Sequence, residues 1–170
     1  MKRCILFVFA MFFLVSSCTK EENNYYGEVE FDLKASKMLQ IGALFESIAR
    51  QPESAEDLIQ ATESLYANYT ELLPLSDQAI VQRGKARGTS FGLLLVSIAR
   101  QPEAFNVLDV AAEKFLGEYN PEYISDELAE ITKTYALPGL TESISRQPEA
   151  LDLLNTICEK YMNFEIVDAE

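Results

Sequence analysis

Three side-chain pairs recur in this chain and pose the first chemical question: Arg50 with Gln51, Arg100 with Gln101, and Arg146 with Gln147. A guanidinium presents a planar fork of donors that fits a carboxylate, phosphate or sulfate, and an amide adds a donor and an acceptor beside it. If the units that carry them stack in parallel, the three pairs line up along one rim able to grip a carboxylate, phosphate or sulfated glycan. The competing explanation is that they belong to a repeated turn and serve only its geometry. Arg83-Gly84-Lys85-Ala86-Arg87-Gly88 is the other basic cluster. It lacks the Gly-Lys-Ser/Thr of a phosphate loop. It reads as a solvated helix end whose cations complement the helix C-terminus, with an anionic headgroup or acidic partner as the alternative.

Other chemistry finds little support. The 170 residues include no His, which removes Ser-His-Asp and Cys-His nucleophiles and His-ligated metal sites. Carboxylates cluster at Glu53, Glu56, Asp57 and Glu63, and again at Asp126, Glu127 and Glu130, at spacings that mark solvated helix faces. With 27 Asp and Glu in the chain, some pair falls close without catalytic meaning, and no Asp-x-Asp-x-Asp-Gly calcium loop is present. The excess of these 27 acids over 14 Lys and Arg, a net charge of −13, opposes nucleic-acid binding. We therefore expect no catalytic residue, no metal ligand and no cofactor. The tyrosines at 25, 26, 66, 69, 119, 123, 135 and 161 read mainly as core residues with hydroxyls at the rim. Cys158 reads as a buried inert thiol.

The elements that position these residues follow from internal duplication. Ser47-Ile48-Ala49-Arg50-Gln51-Pro52-Glu53 returns unchanged at Ser97–Glu103 and, with Ser145 in place of Ala, at Ser143–Glu149. The arginines lie 50 and 46 residues apart. Before each motif, Ile41/Leu44/Phe45/Ile48 aligns with Phe91/Leu94/Leu95/Ile98 and Leu137/Leu140/Thr141/Ile144, one face of a helix. After it, Ala55/Leu58/Thr62/Leu65/Tyr66 aligns with Phe105/Leu108/Ala112/Phe115/Leu116 and Leu151/Leu154/Cys158/Tyr161/Met162, a second amphipathic helix. The unit is an αα-hairpin cornered at Arg-Gln-Pro-Glu. Pro suits the first turn of the second helix and pushes the preceding Gln out of the α region, so a corner is favoured over a kinked long helix. An Arg–Glu bridge across the turn is a further expectation. A helix opened at Ser76-Asp77 is expected to stop at Gly88, and one opened at Asn120-Pro121-Glu122 to stop at Leu137-Pro138-Gly139. The fold class is all-α, an array of three hairpin units with seven or eight helices, either α-solenoid-like or a closed bundle.

The N-terminus carries an address. Lys2 and Arg3 precede the apolar run Ile5–Leu14, which is too short for a membrane span and suits a signal peptide. Val15-Ser16-Ser17-Cys18 follows and resembles the lipobox of bacterial lipoproteins. The resemblance implies cleavage before Cys18 and acylation of that residue, anchoring the protein to a membrane. Thr19-Lys20-Glu21-Glu22 is similar to the tether signal of Bacteroidota lipoproteins exported to the cell surface, and it favours the outer membrane. Residues 1–17 are then signal, 18–30 an acidic tether and 31–170 a single all-α repeat domain. Loss of the signal removes two positive charges and no negative ones, so −13 becomes −15. With Cys4 and Cys18 accounted for, the domain has one thiol and no possible internal disulfide. The expected function is a lipid-anchored outer-membrane lipoprotein, facing the cell surface or the periplasm, whose helical domain is a non-enzymatic protein or glycan interaction module. Capture of a small anionic ligand or glycan for a transport complex is the alternative, and a carboxylate-dependent hydrolase comes last.

Overall fold

Asp32 opens the first element. Its backbone is extended, and its carboxylate accepts from the N–H groups of Lys34 and Ala35, capping helix α1, Leu33–Arg50. The computed structural model describes residues 32–64 and 75–166 and continues with α2 (Ala55–Glu63), α3 (Asp77–Arg100), α4 (Phe105–Phe115), α5 (Asp126–Arg146) and α6 (Leu151–Met162). Ser76 and Ser125 cap α3 and α5, their hydroxyls accepting from the N–H groups of Ala79 and Leu128. The described residues contain no strand: the fold is all-α. The signal segment, Cys18 and the tether lie outside the described residues, as do Leu65, Tyr66 and Tyr69.

The repeated heptapeptide forms the same corner three times. Gln51, Gln101 and Gln147 leave the helix with φ/ψ of −142°/75°, −141°/71° and −144°/69°. Each donates its backbone N–H to the serine four residues back, and each proline then starts a single 3-10 turn leading into the next helix. The helix ends at the proline and a new one begins, as its fixed φ and missing N–H require.

Two expected stops are absent. α3 runs unbroken through Gly84, Gly88 and Gly92, and α5 through Pro138 and Gly139. Asn120-Pro121-Glu122 forms a turn, and α5 starts only at Asp126. Each hairpin therefore pairs one long and one short α-helix with no further helix between units, and the described residues hold six α-helices against the seven or eight expected. The glycines mark a close helix approach instead of a terminus. A Cβ on Gly84 would lie 2.6 Å from Ile131 Cγ2, and one on Gly88 2.7 Å from Tyr135 Cβ. One on Gly139 would overlap the backbone of Gly92.

The long helices α1, α3 and α5 form a row with α3 in the middle. α3 packs on both of its neighbours, and each hairpin's long helix also meets the short helix of the following hairpin. Phe45, Ile48, Phe91, Leu94, Leu95, Ile98, Leu108 and Leu154 fill the shared core. The anticipated apolar face is fully buried in α1 and α3 but not in α5, where Leu137 is 54% exposed and Thr141 is also exposed. α5 instead buries Leu128, Thr132, Ala136, Leu140 and Ser143, because α3 flanks it on one side only.

Candidate binding rim at the helix corners

The long helices run parallel. Asp32 at the start of α1 pairs with Arg83 of α3, while Glu46 near its end reaches Arg100. This register brings the three repeated arginines together along one edge, as the sequence suggested for parallel units. They do not stand as a bare cationic row. Glu46 lies 3.9 Å from both Arg50 and Arg100, and Glu142 lies 3.5 Å from Arg100 and 3.1 Å from Arg146. The rim therefore alternates in charge, with three guanidiniums and two carboxylates. The middle helix carries Val96 at the position equivalent to Glu46 and Glu142, so Arg100 shares the glutamates of its two neighbours. The arginine side chains remain well exposed, at 73%, 48% and 62% in chain order.

The expected Arg–Glu bridge across each turn does not form. Glu103 and Glu149 accept from the side-chain amides of Gln101 and Gln147, at 2.6 and 2.8 Å. Gln51 is exposed, and its amide makes no hydrogen bond to another described residue. Between the first two corners lies an open depression of about 210 Å³, lined by Glu46, Ala49, Arg50, Ser97, Arg100 and Gln101. The sequence reading missed the two rim glutamates. Their signal was present four residues before Arg50 and Arg146, one helical turn back.

The basic cluster 83–88 is no solvated helix end. Arg87 is 1% exposed and donates from Nη1 to the carbonyl of Leu116. Its Nη2 donates to the carbonyls of Gly117 and Tyr161, at 2.8 and 3.2 Å. It thus satisfies backbone acceptors at the C-terminal ends of both α4 and α6, where a cation also complements two helix dipoles. Arg83 donates from Nε to Asp32 Oδ2 at 2.6 Å. Lys85 alone faces outward, 5.5 Å above the Tyr135 ring. Burial would raise the Asp32 carboxyl, but the Arg83 hydrogen bond and charge, with two backbone N–H donors, hold it below 3.8.

A second polar cluster joins α4 to α6. Lys160 Nζ lies 3.0 Å from Asp109 and 3.2 Å from Glu113, while the Tyr161 hydroxyl donates to Asp109 at 2.6 Å. Burial followed by the Asp109 contact pushes the Tyr161 hydroxyl well above its usual range. Burial followed by the charge of Glu159 pushes the Cys158 thiol up to about 12. Tyr161 is core with its hydroxyl tied off, whereas Tyr119 and Tyr123 are half-buried beside an open depression and Tyr135 is exposed. The carboxylates of α2 and the first turn of α5 are solvent-exposed, apart from the Glu63–Lys114 pair at 2.6 Å. Among the described residues, no group of three or more Cys, Asp or Glu is placed to hold a metal ion, and no helix is long and apolar enough to cross a membrane. No protein-family model matches this chain, and no curated protein or solved structure is significantly similar to it.

Proposed function

We propose that this protein is a lipid-anchored outer-membrane lipoprotein whose helical domain presents the corner rim to a binding partner and performs no catalysis. Acylation at Cys18 within Val15-Ser16-Ser17-Cys18 would supply the anchor, and residues 19–30 the tether. The observation that carries the reading is the direction of α1. The chain enters the domain at Asp32, and the rim begins at Arg50, a full helix of 18 residues or ~27 Å further on. The rim thus lies at the opposite end of α1 from the point where the chain enters the helical domain. Parallel helix ends that bring three identical corners into one row favour recognition of an extended surface. A second reading, capture of a small anionic ligand or glycan by the same edge, draws on the depression between the first two corners.

Metabolic labelling with an alkynyl fatty acid tests the anchor: the wild type should incorporate label and fractionate with the outer membrane, and Cys18→Ser should do neither. Unlabelled wild-type protein would sink this part of the reading. A photo-crosslinking residue placed at Gln51 or Gln147 should capture a partner in intact cells, and one at Glu127 should not. Equal capture at all three positions would remove the rim from the proposal.

A further inference from the structure

The corner geometry accounts for most of the repeated heptapeptide, and what it leaves unexplained is the arginine. The serine carbonyl receives the glutamine N–H, Ile48 and Ile98 are buried, and Ala49 and Ala99 fit against the core. Gln adopts the extended backbone that a following proline demands, Pro starts the new helix, and Glu103 and Glu149 hold the glutamine amides. The arginine guanidiniums point out from this framework. A cation in the last helical turn complements the dipole, but Lys would serve that purpose equally well. What separates Arg from Lys is its planar fork.

The forks nearest the depression are loosely held: Arg50 Nη2 and Arg100 Nη1 face Glu46, and Arg100 Nη2 faces Glu142 at 3.5 Å. Glu46 sits 3.9 Å from both Arg50 and Arg100, beyond the 2.7–2.9 Å of a charge-assisted hydrogen bond, so it grips neither of them bidentately. Ala49 and Ser97 leave the depression between them shallow-walled, Gln51 has an unbonded amide, and Gln101 retains its carbonyl oxygen as an acceptor. Glu46 lines the depression, Glu142 flanks it and the chain carries −13 overall, so a uniform polyanion would be repelled far more than a single carboxylate that takes the place of Glu46 between the arginines.

We propose that the depression between the first two corners recognises a carboxylate of a peptide, either an acidic side chain or a chain terminus, held between the Arg50 and Arg100 forks with Gln51 and Gln101 meeting the adjacent main chain. This deepens the interaction-module reading and rests on it only for the partner's being a protein.

The test is a random peptide library displayed on phage and panned against the purified full chain in detergent. Selected peptides should share an Asp, Glu or free C-terminus. Changing that group to its amide should weaken binding about tenfold or more, the scale of a lost charge-assisted contact. Arg50→Lys and Arg100→Lys should each weaken it similarly while helical content and the unfolding midpoint stay as in the wild type, and Arg146→Lys should change it little. Glu46→Gln should tighten binding several-fold by removing the competing carboxylate, an effect a merely structural Glu46 would not produce. The proposal is overturned if no acid-dependent peptide is selected, if the lysine variants bind as well as wild type, or if inorganic phosphate or heparin occupies the same arginines as strongly as the peptide. None of these failures touches acylation at Cys18 or partner capture elsewhere on the rim, which the labelling and crosslinking experiments read separately.

Discussion

Arg87 caps two helices to which it does not belong. Its guanidinium stands under the ends of α4 and α6 and is almost fully buried there. Arg87→Ala would strip several buried carbonyls of their donor, and we expect it to cost about 3–5 kcal/mol in urea unfolding. Arg87→Lys should recover only part of this, since one ammonium cannot span three carbonyls. Asp32 makes a different contribution, one that depends on pH. Its carboxyl is held below 3.8 in the folded protein, so the unfolded chain binds its proton first as acidity rises. The stability it provides is complete above about pH 4 and is lost as pH falls through the folded-state value. Stability should therefore drop more steeply as pH falls below about 4 in the wild type than in Asp32→Asn. Equal slopes would show that another carboxylate governs the acid limb.

At the scale of elements, the α3–α5 seam reverses an ordinary rule. Gly→Ala in a helix interior usually stabilises by about 1 kcal/mol. Here Gly88→Ala and Gly139→Ala should destabilise by about 1–3 kcal/mol or more, because the added methyl meets the backbone of the facing helix. Gly92→Ala should be neutral or favourable, its nearest contact being 3.4 Å from the Ala136 carbonyl. Thermal unfolding of the three variants gives the comparison directly. Pro138→Ala should raise stability by about 1–2 kcal/mol by restoring a helix hydrogen bond on an exposed face. The same residues explain what the sequence did and did not disclose. Ser76 as a cap and the three Arg-Gln-Pro-Glu corners were readable, because their consequences are local to a few residues. Gly88 and Pro138-Gly139 carry the local signature of a helix end, and only the facing helix decides that they are contact points. Nothing within a few residues of Arg87 says that its partners lie 29 to 74 positions away. That Glu46 and Glu142 also reach across to Arg100 is settled only once three helices lie in register.

The molecule as a whole has one main core, running from Ala35 of α1 to Met162 of α6. Cys158 is fully buried within it, and burial has pushed its thiol up to about 12, so in the folded domain it offers almost no reactive thiolate near neutral pH. Maleimide modification of Cys158 should therefore follow the denaturant dependence of global unfolding, with no faster phase in native buffer. A rapid native reaction would mean that α6 opens independently of the rest. The Arg87 clamp carries a consequence for the order in which the chain is completed. Its last acceptor is Tyr161, 74 residues downstream, so a nascent chain still lacking its final helix holds a buried cation with an unfinished seat. The hairpins that emerge first are therefore expected to stay less stable until α6 has been added. On the lipoprotein reading proposed above, in which the chain crosses a membrane before it folds, such a delay would keep it competent for passage, and the far end of the sequence would supply the lock.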